Sequence, residues 1–288
     1  MDKIEYEIFL TIRDYILKSS GIFLEYDKEY LIRQRITPIL KLLDVNDFFE
    51  LAEKIKTGLN YGQKDELIAN ITTNETSFFR DIHIFESFNL NILPLIFEKI
   101  KKNNSLINIL SAGSSTGQEI YSISILINEY IEKNKIDPKF KSNFKIVGAD
   151  INKKVIETAK NGVYSENEIN KGLSKERIDK FFTKTDDKYI ANNSIKNICN
   201  FKQVSMHEEL SFNVLGKNFD IVFARNFLIY LSSDIKKKTI QIIHNLLNSD
   251  GFLVIGASEN LLGYNNLFSS VNFNNTTFYK KMISNVII

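Results

Sequence analysis

From residue 106 onward the chain alternates between short apolar strands and amphipathic helices, and this alternation limits the possible folds more than any other feature. "LINILSAG" reads as a buried strand running into glycine, "QEIYSISILINEYIEK" as a helix, "FKIVGAD" as a second strand and "NKKVIETAKN" as its helix. "NICNFKQVS" and "FDIVFARNFLIYL" begin as strands. "SSDIKKKTIQIIHNLLN" reads as a helix capped by Ser232 or Ser233, and "GFLVIGASE" as a strand after a turn at Ser249-Asp250-Gly251. "LFSSVNFNNTTFYKKM" alternates around its central "NN" and predicts a terminal antiparallel hairpin. The pattern implies an α/β fold with a parallel sheet whose ligands bind at the carboxyl ends of the strands. Residues 163–200 are less regular, and "KYIANNSIKNICNF" suggests short antiparallel strands inserted beside the main sheet.

Residues 1 to about 70 read as all-helical. Ile4, Ile8, Phe9, Ile12, Tyr15 and Ile16 recur at helical spacing until Gly21. A second helix is expected from about Lys28 to Leu43, kinked by Pro38. Further helices are expected at about 46–57 and 63–71. The second helix carries Lys28, Arg33, Arg35 and Lys41 against the single acid Glu29, while residues 1–70 hold 10 basic and 13 acidic residues. Taken alone, such a basic stripe reads as an ordinary solvated helix face.

With 288 residues, 43% of them hydrophobic and 25% charged, the chain has material for one large domain or two modest ones. Its 37 Lys and Arg nearly balance 35 Asp and Glu, a net charge of +2 that argues against general nucleic-acid or membrane binding. No apolar run approaches the roughly 20 residues of a membrane span. The amphipathic, acid-bearing start "MDKIEYEIFLTIRDYILKSS" is unlike a signal peptide, so a cytoplasmic location is expected. Cys199 is the only cysteine, and His83, His207 and His244 lack metal-ligand spacing, so neither a disulfide nor a metal site is expected.

Three clusters carry candidate chemistry. The first strand ends in Ser111-Ala112-Gly113-Ser114-Ser115-Thr116-Gly117-Gln118-Glu119. Glycines admit a ligand close to the backbone, and a helix N-terminus favours a negative group. The G-x-x-x-G spacing matches neither the dinucleotide fingerprint nor a P-loop. A loop without a phosphate cradle suits a nucleoside ligand whose anion is a carboxylate, such as S-adenosylmethionine. Asp150 ends the second strand, where it can accept both ribose hydroxyls or simply cap the helix starting at Asn152. Arg225-Asn226 stands at the carboxyl end of an apolar strand, a costly position for unpaired polar groups. Tyr230 follows four residues later, with packing as its plainest role. With the terminal hairpin, these features point to a class I methyltransferase.

The segment Thr72-Thr73-Asn74-Glu75-Thr76-Ser77-Phe78-Phe79-Arg80-Asp81 precedes this domain. Its Asn-Glu-Thr matches a glycosylation sequon by chance in an Asn-rich chain without a secretion signal. It reads as a helix start, with Thr76 or Ser77 capping a helix through Phe78, Phe79, Ile82, Phe85 and Phe88. Arg80 would then oppose the helix dipole in the first turn, and a local inconsistency of this kind tends to mark a functional site.

In order, Asn-Glu-Thr-x-Phe-Phe-Arg at 74–80, "SAGSSTGQEIYS" at 111–122, Asp150, Arg-Asn-x-x-Ile-Tyr at 225–230 and Gly-x-Ser-Glu at 256–259 resemble the chemotaxis receptor methyltransferases, the CheR family. The resemblance covers nearly the whole chain. It implies a Rossmann-like methyltransferase domain over 73–288, with a small antiparallel insertion within about 163–204, behind a helical receptor-binding module over 1–72. It further implies methyl transfer from S-adenosylmethionine to glutamate side chains of chemoreceptors, leaving S-adenosylhomocysteine, by a monomeric protein. By the same resemblance Asn74, Thr76, Arg80, Gly113, Glu119, Asp150, Ser205, Met206, Arg225 and Asn226 would bind the donor. Arg80 and Tyr230 would lie nearest the methyl, and Arg33, Arg35 and Lys41 would face the cytoplasmic helical domain of the receptor. In some members the insertion docks a receptor's C-terminal peptide. The sequence departs from the family at Leu110-Ser111, at Gln118, at Ile120, at Ala224 and at Ser205, where the family has an Asn. The competing readings are a methyltransferase for another acidic protein or a small acid, and a cofactor-binding regulator without catalysis.

Overall fold

The computed structural model describes residues 3–208, 214–273 and 276–283. Four helices come first: α1 (Tyr6–Ser20), α2 (Glu29–Ile36), α3 (Phe48–Thr57) and α4 (Tyr61–Ile71). They close around Phe9, Ile12, Ile32, Ile36, Leu43, Leu51 and Leu67. Helix α1 ends where Gly21 turns left-handed at φ 77° and donates its N–H to the Leu17 carbonyl. The helix expected over 28–43 is two pieces. Regular α geometry stops at Ile36, and Thr37–Leu43 continue as a tighter 3-10 stretch with Pro38 in its first turn. Asn60 and Gln63 form a reciprocal capping box that starts α4.

Next come α5 (Ile82–Ser87), a π turn over Phe88–Ile92 and α6 (Leu93–Asn103). The alternating region then unrolls as β1 (Ile107–Ala112), α7 (Gln118–Lys133), β2 (Phe144–Asp150) and α8 (Lys153–Asn161). A small insertion follows: β3 (Val163–Ser165), α9 (Glu166–Asn170), α10 (Lys175–Phe181), β4 (Phe182–Thr185) and β5 (Lys188–Ala191), with the short α11 (Asn193–Lys196) leading out of it. The chain closes with β6 (Cys199–Gln203), β7 (Phe219–Ala224), α12 (Ser233–Leu246), β8 (Leu247–Ile255), β9 (Phe268–Phe273) and β10 (Thr276–Lys281). Ser232 caps α12 by accepting the Ile235 N–H.

Seven strands form the main sheet in the order β6-β2-β1-β7-β8-β10-β9. Pairing is parallel from β6 through β8, and β10 runs antiparallel to both β8 and β9. The Asn274-Asn275 centre of the hairpin lies outside the described residues. Chain order reverses at β1, so a crevice opens beyond the carboxyl ends of β1 and β7, where α/β sheets bind ligands. The expected turn at Ser249-Asp250-Gly251 is a bulge within β8: Phe219 faces Leu247, yet Ile221 faces Phe252.

The insertion is a separate three-stranded antiparallel sheet, β3-β5-β4. Of the short strands expected near 186–202, Lys188–Ala191 belongs to it, whereas Cys199–Gln203 pairs in parallel with β2 and forms the edge of the main sheet. The insertion is seated on the segment before α5. Tyr164 donates its hydroxyl to the Thr116 carbonyl at 2.8 Å, and the Phe78 ring meets Tyr164 and Phe182 edge-on at 5.1 and 5.5 Å. Gly172, at φ 108°, lies so close that a Cβ there would come within 1.9 Å of the Phe78 carbonyl oxygen. Gly216 also has a left-handed φ, 88°, but among the described residues nothing lies within 4 Å of a Cβ built there. Gly172→Ala should therefore lower unfolding free energy by at least about 2 kcal/mol in urea titrations. Gly216→Ala should cost only about 1 kcal/mol, the backbone strain alone.

Candidate active site

The crevice is an open cleft at the carboxyl end of the sheet. Its walls come from three parts of the chain: the β-strand ends and following loops, the segment 72–80, and Ser20 and Ile22 at the end of the helical module. The module is fastened at the same place. Ile22 makes a lone antiparallel bridge with Leu231, and the Phe23 N–H donates to the Tyr230 carbonyl at 3.1 Å.

At the centre is Arg225, only 6% exposed. Its Nη1 donates to Glu119 Oε2 at 2.7 Å, and its Nη2 donates to Asp81 Oδ2 at 2.7 Å and to the Arg80 carbonyl at 2.6 Å. Glu119, in the first turn of α7, also accepts the Ser111 hydroxyl at 2.7 Å. A charge leaving a buried strand thus meets two carboxylates, the condition under which such burial is tolerated. Asn226 turns left-handed at φ 60°, and the 226–229 turn is held by Glu259, whose carboxylate accepts the N–H groups of Asn226, Gly256 and Ile229.

Asp150 closes β2. Its two oxygens accept the Ser115 and Asn152 N–H groups at 2.9 Å each. Burial pushes its carboxyl above the usual aspartate range, and these backbone donors offset only part of that cost. The capping alternative is excluded: Asn152 caps α8 with its own side chain, accepting the Lys154 N–H. Gly113 turns at φ 73°, and a Cβ there would stand 3.2 Å from the Phe227 ring.

The segment 72–81 departs from its expected form. No helix begins at Thr76 or Ser77; α5 begins at Ile82. The polar groups of the segment are engaged elsewhere. The Phe79 N–H donates to Ser122 Oγ at 3.0 Å, the Ser115 hydroxyl donates to the Asn74 carbonyl at 2.7 Å, and the Asp81 carboxylate accepts from Arg225 instead of capping. Phe79 and Asp81 both sit at positive φ, 51° and 58°. For a phenylalanine that is a strained state needing outside support. Support comes from the insertion, where Arg177 lies 4.0 Å over the Phe79 ring while its Nε and Nη2 donate to Glu129. Arg80 is therefore not in a helix; it reaches the cleft with one bond, to the Glu75 carbonyl at 2.9 Å.

Most of the expected donor-site residues converge: Asn74, Thr76, Arg80, Gly113, Glu119, Asp150, Met206, Arg225, Asn226 and Tyr230 all line the cleft. Ser205 does not, because its hydroxyl bonds His207 Nδ1 at 2.8 Å. Of the expected receptor-facing cations, Arg35 is half-buried and donates to the Ile71 carbonyl and to Thr73 Oγ1. Arg33 lies near the Glu29 carboxylate at 3.5 Å, and Lys41 is exposed. Asp81, Ser111, Ser115, Arg177, His207 and Glu259 were not assigned a role from the sequence. Ser111, Ser115 and Glu259 lay within quoted motifs and Asp81 within the 72–81 segment, whereas Arg177 and His207 carried no positive signal.

A sheet of this strand order, a glycine loop without a phosphate-binding lysine and an aspartate ending the second strand define a class I methyltransferase. The charged lining also fits the methyl donor. Arg80 and Arg225 face Glu75, Glu119 and Asp150, and this one excess negative charge suits a ligand bearing an ammonium, a sulfonium and one carboxylate. Comparison with known proteins narrows the class. Residues 74–277 match the family described as CheR methyltransferase, SAM binding domain, and residues 7–72 match its all-alpha domain. The chain is 33% identical over 267 residues to a chemotaxis protein methyltransferase of Vibrio anguillarum, covering 92% of this chain and 94% of that one. It is 34% identical to chemotaxis protein methyltransferase 1 of Pseudomonas aeruginosa (89% and 90% covered) and 34% identical to that of Borreliella burgdorferi (88% and 87% covered). The chain belongs to the CheR methyltransferase family and is an S-adenosylmethionine-dependent methyltransferase. Among the described residues no helix is long and apolar enough to cross a membrane.

The Asp150 titration gives a test of the site that needs no ligand. Because its folded-state pKa is raised, the native protein holds this proton more readily than the unfolded chain does. Stability from this group therefore falls as pH rises from about 3.8 through the raised value and is constant above it. The wild-type protein should lose stability relative to Asp150→Asn across that window, measured by urea unfolding at a series of pH values. A pH-independent difference would contradict the assignment.

Proposed function

We propose that this protein transfers the methyl group of S-adenosylmethionine to glutamate side chains of chemoreceptors in the cytoplasm, giving glutamyl methyl esters and S-adenosylhomocysteine. In this reading residues 1–72 engage the receptor and residues 73–288 carry out the transfer, with the protein acting as a monomer. The carrying observation is that Arg80 lines the cleft while the groups there that could take a proton are already engaged: Glu75 by Lys171, Glu119 by Ser111 and Arg225, and Asp150 by two backbone N–H groups. Among the described residues His207 is the cleft's only histidine, and both its ring nitrogens are engaged, with Ser205 and with the Lys18 carbonyl. A glutamate is already ionised at neutral pH, so an acceptor of this kind needs no base. The names of the relatives support the setting, since they are chemotaxis protein methyltransferases.

When bound, S-adenosylmethionine supplies a methyl group on a cationic sulfur. The residues supply position. Asp150 would accept from the ribose, Met206 would flank the base, and Asn74, Thr76, Glu119 and Asn226 would hold the amino-acid end, with Arg225 keeping that wall in place. Arg80 orients the incoming carboxylate by a charge-assisted contact, and Tyr230, 37% exposed at the cleft, closes the approach and excludes water. Tight binding of the anion would slow transfer, because the negative charge disappears along the reaction coordinate. One loosely tethered arginine suits that requirement. On the helical module Arg33 and Lys41 are the cations proposed to meet an acidic receptor helix; Arg35 serves the segment 71–73 instead.

The test is incubation with methyl-labelled donor and a chemoreceptor cytoplasmic fragment, followed by alkali. A glutamyl ester releases volatile labelled methanol; alkali-stable label or absence of transfer would contradict the reading. In the same assay Arg80→Ala should lower kcat by about 10²-fold. Its thermal unfolding should stay near that of the wild type, because Arg80 makes a single, exposed hydrogen bond.

A further inference from the structure

The cleft wall beside Met206 contains an element that no family motif accounts for. His207 sits between two parts of the protein. A carbonyl can only accept, so the 3.1 Å contact of Nε2 with the Lys18 carbonyl requires the proton on Nε2. In the neutral imidazole Nδ1 is then the acceptor for the Ser205 hydroxyl at 2.8 Å. The Lys18 carbonyl belongs to the last turn of α1, where carbonyls have no partner within the helix, so His207 acts as a C-terminal cap contributed by another part of the chain. The fit is close: a Cβ on Gly21 would stand 3.3 Å from the imidazole and 3.1 Å from Leu231. With both nitrogens engaged, His207 lines the cleft together with Met206 and Ile22.

We infer that His207 is a donor-binding residue of this enzyme: it forms an aromatic wall for the adenine, fixed by bonds to Ser205 and to the end of α1, so that the helical module sets donor affinity as well as meeting the substrate protein. This rests on the reading above that Asp150 holds the ribose and Met206 lies on the base side. It also gives Ser205 a role different from that of the asparagine the family places there. Ser205 orients the imidazole and does not touch the ligand.

The test is calorimetric binding of S-adenosylhomocysteine to the full chain and three variants. His207→Ala removes the ring and both bonds and should raise Kd about tenfold. His207→Gln can still donate to the Lys18 carbonyl from a similar position and should recover part of that loss. Asp150→Asn should weaken binding independently of either. Unchanged affinity in His207→Ala, with Asp150→Asn weakened, would overturn the inference and leave the reading of the cleft standing. Unchanged affinity in both would overturn the two together. Equal loss in the Ala and Gln variants would remove the α1 tie and with it the claim that the module sets affinity.

Discussion

The active cleft depends on one buried arginine. Arg225 leaves the end of β7 and is held by Glu119 on α7 and by Asp81 and the Arg80 carbonyl on the segment that joins the two modules. Removing one partner of a buried ion pair typically costs about 3–5 kcal/mol, because the remaining charge stays buried without compensation. That penalty works in favour of the native arrangement, since any conformation that pulls Asp81 away must bear it. The central strand, the helix that begins at the glycine loop and the joining segment are thereby fixed to one another.

The constraint explains why the joining segment is not helical. In a helix capped at Ser77, Phe79 would fall in the first turn, where N–H groups have no partner within the helix. Instead the Phe79 N–H is satisfied by Ser122, and Phe79 is kept in a left-handed conformation by the stacked Arg177. Support for Arg80 therefore comes from two sides, the main sheet through Arg225 and the small insertion through Arg177 and Gly172. The insertion is the back wall of the segment carrying the arginine proposed to meet the substrate, as well as a feature of the surface.

Much of this was legible in the sequence for identifiable reasons. Strands β1, β2 and β7 are largely apolar, and Asp150 at the end of β2 and Arg225 just past β7 are residues that an apolar strand tolerates poorly, so the strands and these polar ends could both be read. Pro38, Gly21 and Ser232 marked helix boundaries through local backbone chemistry. What could not be read depended on distant partners. Arg80 looked misplaced because the segment resembled a capped helix, and nothing local shows that Asp81 is engaged by a residue 144 positions away. Arg35 looked like part of a surface stripe, yet it faces the Ile71 carbonyl, a contact between elements 36 residues apart. Ser205 bonds His207, whose other nitrogen meets the Lys18 carbonyl at the end of the first helix, a contact that no local pattern announces.

The most direct measurement is a double-mutant cycle between Arg225 and Asp81, using Arg225→Met, Asp81→Asn and the pair, read as affinity for S-adenosylhomocysteine. If the ion pair holds the joining segment against the cleft, each single change weakens binding and the double change adds little. The coupling energy should then be at least about 1.5 kcal/mol. Losses that add to within about 0.5 kcal/mol would show the two residues acting independently, and the cleft would have to be held together by something other than Arg225.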